Sequence, residues 1–172
     1  KRVYEHKSEI VALKTLLYKI PKTDSILEIG SGYGRLTPAY LHRAKRITLA
    51  DPSSALLKIA RKSFKNQKKV KYIHSSLENL NSKIQAGYAD TVVIVRVLHH
   101  LKDLDIAFKT IRRVLAKRGY LIIEYANKSH IKATLQEFWK GNFTFPIDIF
   151  PKEVSRSKRH NNLPFLNYHP DY

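Results

Sequence analysis

Three glycines at alternate positions, in the run ILEIGSGYGRL at residues 26–36, constrain this chain more than any other feature. Glycine lacks a Cβ, so it accepts positive φ in a tight turn and lets a ligand lie against the main chain. The run begins apolar, as a buried strand does, and a helical pattern follows it. A bare turn from strand into helix is a recurring cradle for nucleotide-like ligands. One acid, Glu28, stands inside the apolar part.

The alternation of strand and helix continues along the chain. Val3, Ile10, Leu13, Leu16, Leu17 and Ile20 fall at mostly helical spacing before Pro21, which predicts an amphipathic helix over residues 3–20. SILEI (25–29), RITLA (46–50), VKYIH (70–74), ADTVVIVRVL (89–98) and YLIIEYA (120–126) read as five strands, the fourth with the β-branched run of a strand buried on both faces. Between them, helices are expected over residues 35–43, from Asp51 through DPSSALLKIARKSF, and over residues 103–116. In the second of these, Asp51 or Ser53 is expected near the cap and Pro52 in the first turn. Such an alternation predicts an α/β fold, an open parallel sheet with helices on both faces. Ligands bind such sheets beyond the carboxyl ends of the strands, where strand order reverses. That rule gathers residues 30–34, Asp51, residues 75–77, residues 95–97 and Tyr125 into one rim.

A length of 172 residues suits one α/β domain with a substantial core. The parts expected are an N-terminal helix (1–21), the sheet-bearing core (22–127) and a helix with a loop or cap (128–172). That last part carries a helix at about residues 129–139, then a proline-containing stretch with little periodicity, expected to cover the rim. Trp139, Phe138, Phe143 and Phe145 are expected to pack as core rather than as an aromatic lid. The chain has no Met and starts at Lys1, so it is expected to be an excerpt of a longer polypeptide. It has no apolar run of about 20 residues, as a membrane span requires, and no signal-peptide pattern. The absence of cysteine excludes disulfides, thiolate metal sites and a cysteine nucleophile, and a soluble, cytoplasmic protein is expected.

The charge is unusual: 32 Lys and Arg against 14 Asp and Glu give a net +18. Such an excess attracts RNA or an anionic membrane surface. The cations are spread along the whole chain, however, without an RNP-type aromatic motif or zinc knuckle, and a generally basic surface is the expected reading.

Two acids sort the ligand for the rim. Asp51 ends the second strand, 17 residues after Gly34, and a carboxylate there accepts both hydroxyls of an unphosphorylated ribose. Arg35 stands where G-x-G-x-x-G needs its third glycine, so the NAD pyrophosphate fingerprint is incomplete. No P-loop motif is present. A ligand with ribose and adenine, no phosphate, and an amine and a sulfonium suits a loop flanked by acids.

ILEIGSGYGRLT, LADPSSALLKIAR, VKYIHSSLENL and ADTVVIVRVLHHLKDLDIAFKTIRRVLAKRGYLIIEY resemble, in order and spacing, the motifs of class I S-adenosylmethionine-dependent methyltransferases, especially the type 11 group with the ubiquinone and menaquinone biosynthesis enzymes. The resemblance spans about residues 22–126 and implies a Rossmann-like fold with S-adenosylmethionine as cofactor. It implies that Glu28, Gly30, Ser31, Gly32, Tyr33 and Gly34 surround the methionine part and that Asp51 holds the ribose diol. It further places Pro52 beside the adenine, Ser76 and Leu77 at the adenine edge, and Val95 and Arg96 at the floor. Ser76 stands where the family commonly has an acid. The family's two closing strands are expected to be missing from this chain.

Methyl transfer from a sulfonium is an in-line displacement, in which positioning supplies much of the acceleration. A general base is needed only where the acceptor must lose a proton. His99, His100, Tyr125 and His130 are the candidates, and two adjacent histidines without a third ligand are not expected to hold a metal. The expected acceptor is a small or lipid-like molecule. The rivals are an RNA-directed methyltransferase, an NAD-dependent oxidoreductase and a non-catalytic cofactor-binding domain.

Overall fold

The computed structural model describes residues 2–21, 23–101, 103–125, 131–141, 143, 152–153 and 166–167. Two compact units are formed, one by Lys1–Val95 with Asp105–Ile123 and the other by Arg96–Leu104 with Glu124–Tyr172.

The first unit is built on a five-stranded sheet of order β3-β2-β1-β4-β5. Its strands are β1 (Ser25–Ile29), β2 (Arg46–Asp51), β3 (Val70–His74), β4 (Ala89–Val95) and β5 (Leu115–Glu124). β1 pairs in parallel with both β2 and β4, and β2 in parallel with β3. The chain steps outward from β1 to β3 and then returns to the other side of β1. Strand order therefore reverses between β1 and β4, and the glycine turn leaves the sheet at that point.

Burial explains why these segments are strands. All five residues of β1 are buried, as a strand covered on both faces must be. On one face Ile26, Ile47, Leu49 and Val93 pack with helix residues: Leu13 and Leu17 of α1 (Arg2–Lys19), Ala39 and Tyr40 of α2 (Thr37–Tyr40), and Leu57 and Ala60 of α3 (Ser54–Ser63). On the other face Leu27, Ile29, Val92 and Ile94 are equally buried. α4 (Leu104–Val114) buries Ala107, Thr110, Ile111 and Val114, one row at helical spacing. Arg43 Nη2 donates to the carbonyls of Leu17 and Ile20 at 2.6 and 2.7 Å, which satisfies the exposed end of α1.

Several boundaries differ from the sequence reading. The helix expected over residues 35–43 shrinks to the four-residue α2, since the glycine turn extends through Arg35 and Leu36 before Pro38 can start a helix. Pro52 is not in the first turn of α3: Ser53 is the cap, its side chain accepting from Leu56 N at 3.3 Å, so Pro52 lies before the helix. β4 stops at Val95 instead of residue 98: Arg96 takes φ 58°, outside the extended region, and Leu98–His100 coil into a 3₁₀ turn. β5 starts at Leu115, ahead of its apolar part, since pairing uses the backbone and not the side chains.

In the second unit, α5 spans Ile131–Trp139, residues 129–130 of the expected helix lying outside the described residues, and a two-residue antiparallel pair joins β6 (Lys152–Glu153) to β7 (Leu166–Asn167). Phe138, Trp139 and Phe143 are exposed, against the expectation of core packing, and Phe145 lies outside the described residues. Among the described residues no helix is long and apolar enough to cross a membrane.

Candidate functional site

The three glycines after β1 all take positive φ: 72° at Gly30, 55° at Gly32 and 79° at Gly34. Their roles differ. A Cβ on Gly34 would lie 2.6 Å from Phe64 Cε2 and 3.1 Å from Thr37 Oγ1, so this glycine is required by packing. Among the described residues a Cβ on Gly32 would meet only Leu56 Cδ1, at 3.8 Å. The described residues therefore leave the space beside Gly32 unfilled, which is what a ligand lying against the main chain needs.

Asp51, at the end of β2, joins the parts of the rim. Its Oδ2 accepts from Gly32 N at 2.7 Å and its Oδ1 from Ser53 N at 2.8 Å. Its carbonyl accepts from Ser75 N at 3.1 Å, while the neighbouring Ala50 carbonyl accepts from Gly30 N and Ser31 N. One buried side chain thus holds the glycine turn, the start of α3 and the end of β3 in register. Each carboxylate oxygen keeps a further lone pair for a ligand hydroxyl. The sequence points to Asp51 as a ribose acceptor and as a residue near the cap of α3, but not to its hold on the glycine turn.

The turn also carries a buried hydroxyl. Ser31 is buried, and its Oγ finds no hydrogen-bond partner among the described residues. A buried hydroxyl left unpaired costs about 1–3 kcal/mol, which a polar ligand in the turn would offset. The residues present thus fit a ligand with hydroxyl and amine groups.

Glu28 lies on the same strand face as Ile26, pointing at α2. Its Oε2 accepts from Tyr40 Oη, and from Thr37 Oγ1 at 3.3 Å. Burial pushes its pKa up to about 7, against the lowering by the Tyr40 and Thr37 hydrogen bonds and by the Arg35 charge; Asp51 adds to the rise. Burial and the adjacent Glu28 push the Tyr40 phenol well above its ordinary value, so it remains a donor. Arg35, in the position of the missing third glycine, does not face an open phosphate site. Its Nη1 is engaged by Glu9 Oε2 and by His6 Nδ1, the latter at 2.6 Å.

The other rim residues are more peripheral. Tyr33 and Pro52 are exposed, Ser76 and Val95 are half-buried, and Leu77 is buried. His74 Nε2 donates to the Pro52 carbonyl at 2.8 Å, which fixes the chain beside the cap of α3.

Arg96, His99, His100 and Tyr125 belong to the second unit. Arg96 is tied to Glu124 through its backbone N–H, 3.2 Å from the Glu124 carbonyl, and through Nε, 3.9 Å from Oε1. His99 and His100 stack at a tilt, their centroids 4.0 Å apart. Burial, with the charges of His100 and Arg96, lowers the His99 pKa to about 4, so His99 is neutral at physiological pH. Tyr125 is partly exposed, and His130 lies outside the described residues.

A family model described as a methyltransferase domain matches residues 27–123, more than half of the chain. The chain belongs to the methyltransferase-domain family. This methyltransferase domain is 29% identical over 136 residues to the non-reducing polyketide synthase ausA of Emericella nidulans, covering 74% of this chain and 5% of the synthase. It is 28% identical over 160 residues to the ubiquinone biosynthesis O-methyltransferase of Alkalilimnicola ehrlichii, covering 84% of this chain and 64% of that enzyme. The chain thus spans about a twentieth of the polyketide synthase and less than two thirds of the O-methyltransferase. A solved S-adenosylmethionine-dependent methyltransferase of Mesorhizobium loti superposes with a TM-score of 0.55 at 23% identity, over 63% of this chain and 49% of that one. The methyltransferase domain therefore has the class I fold, with its glycine turn at the switch point of the sheet.

Proposed function

We propose that this domain transfers the methyl group of S-adenosylmethionine to a small-molecule acceptor. The observation that carries the reading is the pairing of the unfilled space at Gly32 with the buried, unpartnered Ser31 hydroxyl, both within reach of the turn that Asp51 holds. When bound, the cofactor supplies an electrophilic methyl on a sulfonium. The chain's own residues supply placement. Asp51 accepts from the ribose hydroxyls with its remaining lone pairs, the bare main chain of the glycine turn receives the amino-acid end, and Ser31 bonds a polar group of the ligand. The Glu28 carboxyl, poised near pH 7 beneath the turn, gives a positively charged ligand a negative charge to favour.

A small acceptor is supported by the names of the relatives, a ubiquinone biosynthesis O-methyltransferase and a polyketide synthase. The test is incubation with donor labelled in its methyl group and a panel of small phenols and polyketide-like carbon acids, with total RNA in a parallel reaction. Label in a small molecule is the expected result. Label only in RNA, or none although the donor binds, overturns the reading.

A further inference from the structure

The basic charge is not evenly placed in the first unit. Residues 52–77 contain no Asp or Glu, and within them stand Lys58, Arg61, Lys62, Lys65, Lys68, Lys69 and Lys71. All are exposed except the half-buried Lys69, whose Nζ donates to the Ala44 carbonyl at 3.2 Å. Among the described residues none of the seven pairs with a carboxylate.

Lys58, Arg61 and Lys62 share one face of α3 by their i, i+3, i+4 spacing, and Lys65 continues the row just past the end of the helix at Ser63. Like charges at this spacing repel, each pair costing about 0.2–0.5 kcal/mol. Arg61 and Lys62, in the last turn, recover part of that from the helix dipole. Lys58, Lys65, Lys68 and Lys71 have no such compensation. The row passes from the helix layer through the α3–β3 turn to β3, the outer strand of the sheet. There the Arg61 guanidinium lies 4.7 Å from the centroid of the Tyr72 ring.

We propose that this face docks single-stranded RNA. Phosphates spaced along a flexible strand match a row of cations that bends from a helix face around a sheet edge. Tyr72 packs against the core and backs the exposed Arg61 guanidinium, a plane on which a base stacks. A bilayer surface fits less well, since Ile59 is the one large apolar side chain exposed among these cations. The face runs from the far half of α3 toward the start of β3, away from the end of β2 where Asp51 stands. RNA held there leaves the glycine turn open, so the docking does not depend on which acceptor is methylated.

The test is fluorescence anisotropy of a labelled 12-nucleotide oligouridylate RNA at 50 and 200 mM salt, beside co-sedimentation with phosphatidylserine-containing vesicles. For four to six neutralised phosphates, affinity falls roughly 50- to 300-fold between the two salt concentrations. The combined substitution Lys58→Glu, Lys62→Glu and Lys65→Glu lowers RNA affinity more than about tenfold at low salt, with S-adenosylhomocysteine affinity unchanged. The milder triple change to Gln lowers it less and serves if the reversal fails to fold. Absence of RNA binding at 50 mM salt, affinity equal in wild type and variants, or binding to vesicles in place of RNA each overturns the proposal.

Discussion

Glu28→Gln should stabilise the protein at neutral pH. A carboxyl whose folded pKa is about 7 and whose ordinary value is 4.5 holds its proton more tightly when folded. Its favourable contribution is fully present below pH 4.5 and is lost as pH rises toward 7, because the unfolded chain ionises first. The full difference corresponds to about 3 kcal/mol, most of which falls between pH 5 and pH 8. Gln keeps an oxygen to accept from Tyr40 and Thr37 but never ionises. Thermal unfolding of both proteins at pH 5 and pH 8 reads the effect. The variant should gain on wild type between the two pH values by about 2–3 kcal/mol, roughly 5–10 °C for a domain of this size. A difference between the two proteins that is the same at both pH values would refute the reasoning, because Glu28 would then not be buried as a neutral acid.

Gly34→Ala should cost about 2–4 kcal/mol in a urea melt, from positive φ and the collision with Phe64 together. Gly32→Ala, where the added methyl has room, should cost only about 1–2 kcal/mol yet weaken S-adenosylhomocysteine binding more than tenfold; unchanged binding would mean that no ligand approaches there. Asp51→Asn puts a donor where both oxygens now accept, and should lower the affinity for the same ligand by about 1.5–3 kcal/mol in calorimetry. The His99 ring, its pKa lowered to about 4, should show no titration shift by NMR between pH 8 and pH 5; a midpoint near pH 6.5 contradicts its burial.

Much of this molecule is legible in its residues. β1 falls where its apolar run places it, since a strand buried on two faces leaves a continuous apolar signal, and the outer strand β3 keeps its expected bounds although only Val70 in it is fully buried. The switch-point turn is legible too, because three alternate glycines are rarely compatible with anything else. What the sequence hides is set by partners distant along the chain. Tyr40 is 12 residues from Glu28, and nothing in either segment announces that the phenol closes over the acid. Likewise the Asp51 clamp depends on amides of Gly32 and Ser53, and every residue but proline carries an amide, so no residue type signals it. The early end of β4 coincides with the positive φ of Arg96, a backbone choice that its β-branched neighbours do not reveal.

The central prediction is that the glycine turn and Asp51 hold an adenosine ligand without phosphate. Isothermal calorimetry of the protein with S-adenosylhomocysteine and, separately, with NADH tests it most directly. The account predicts one-to-one binding of S-adenosylhomocysteine that Asp51→Asn weakens, and none of NADH. Binding of NADH alone, or of S-adenosylhomocysteine with the same affinity in the Asp51 variant, would contradict it.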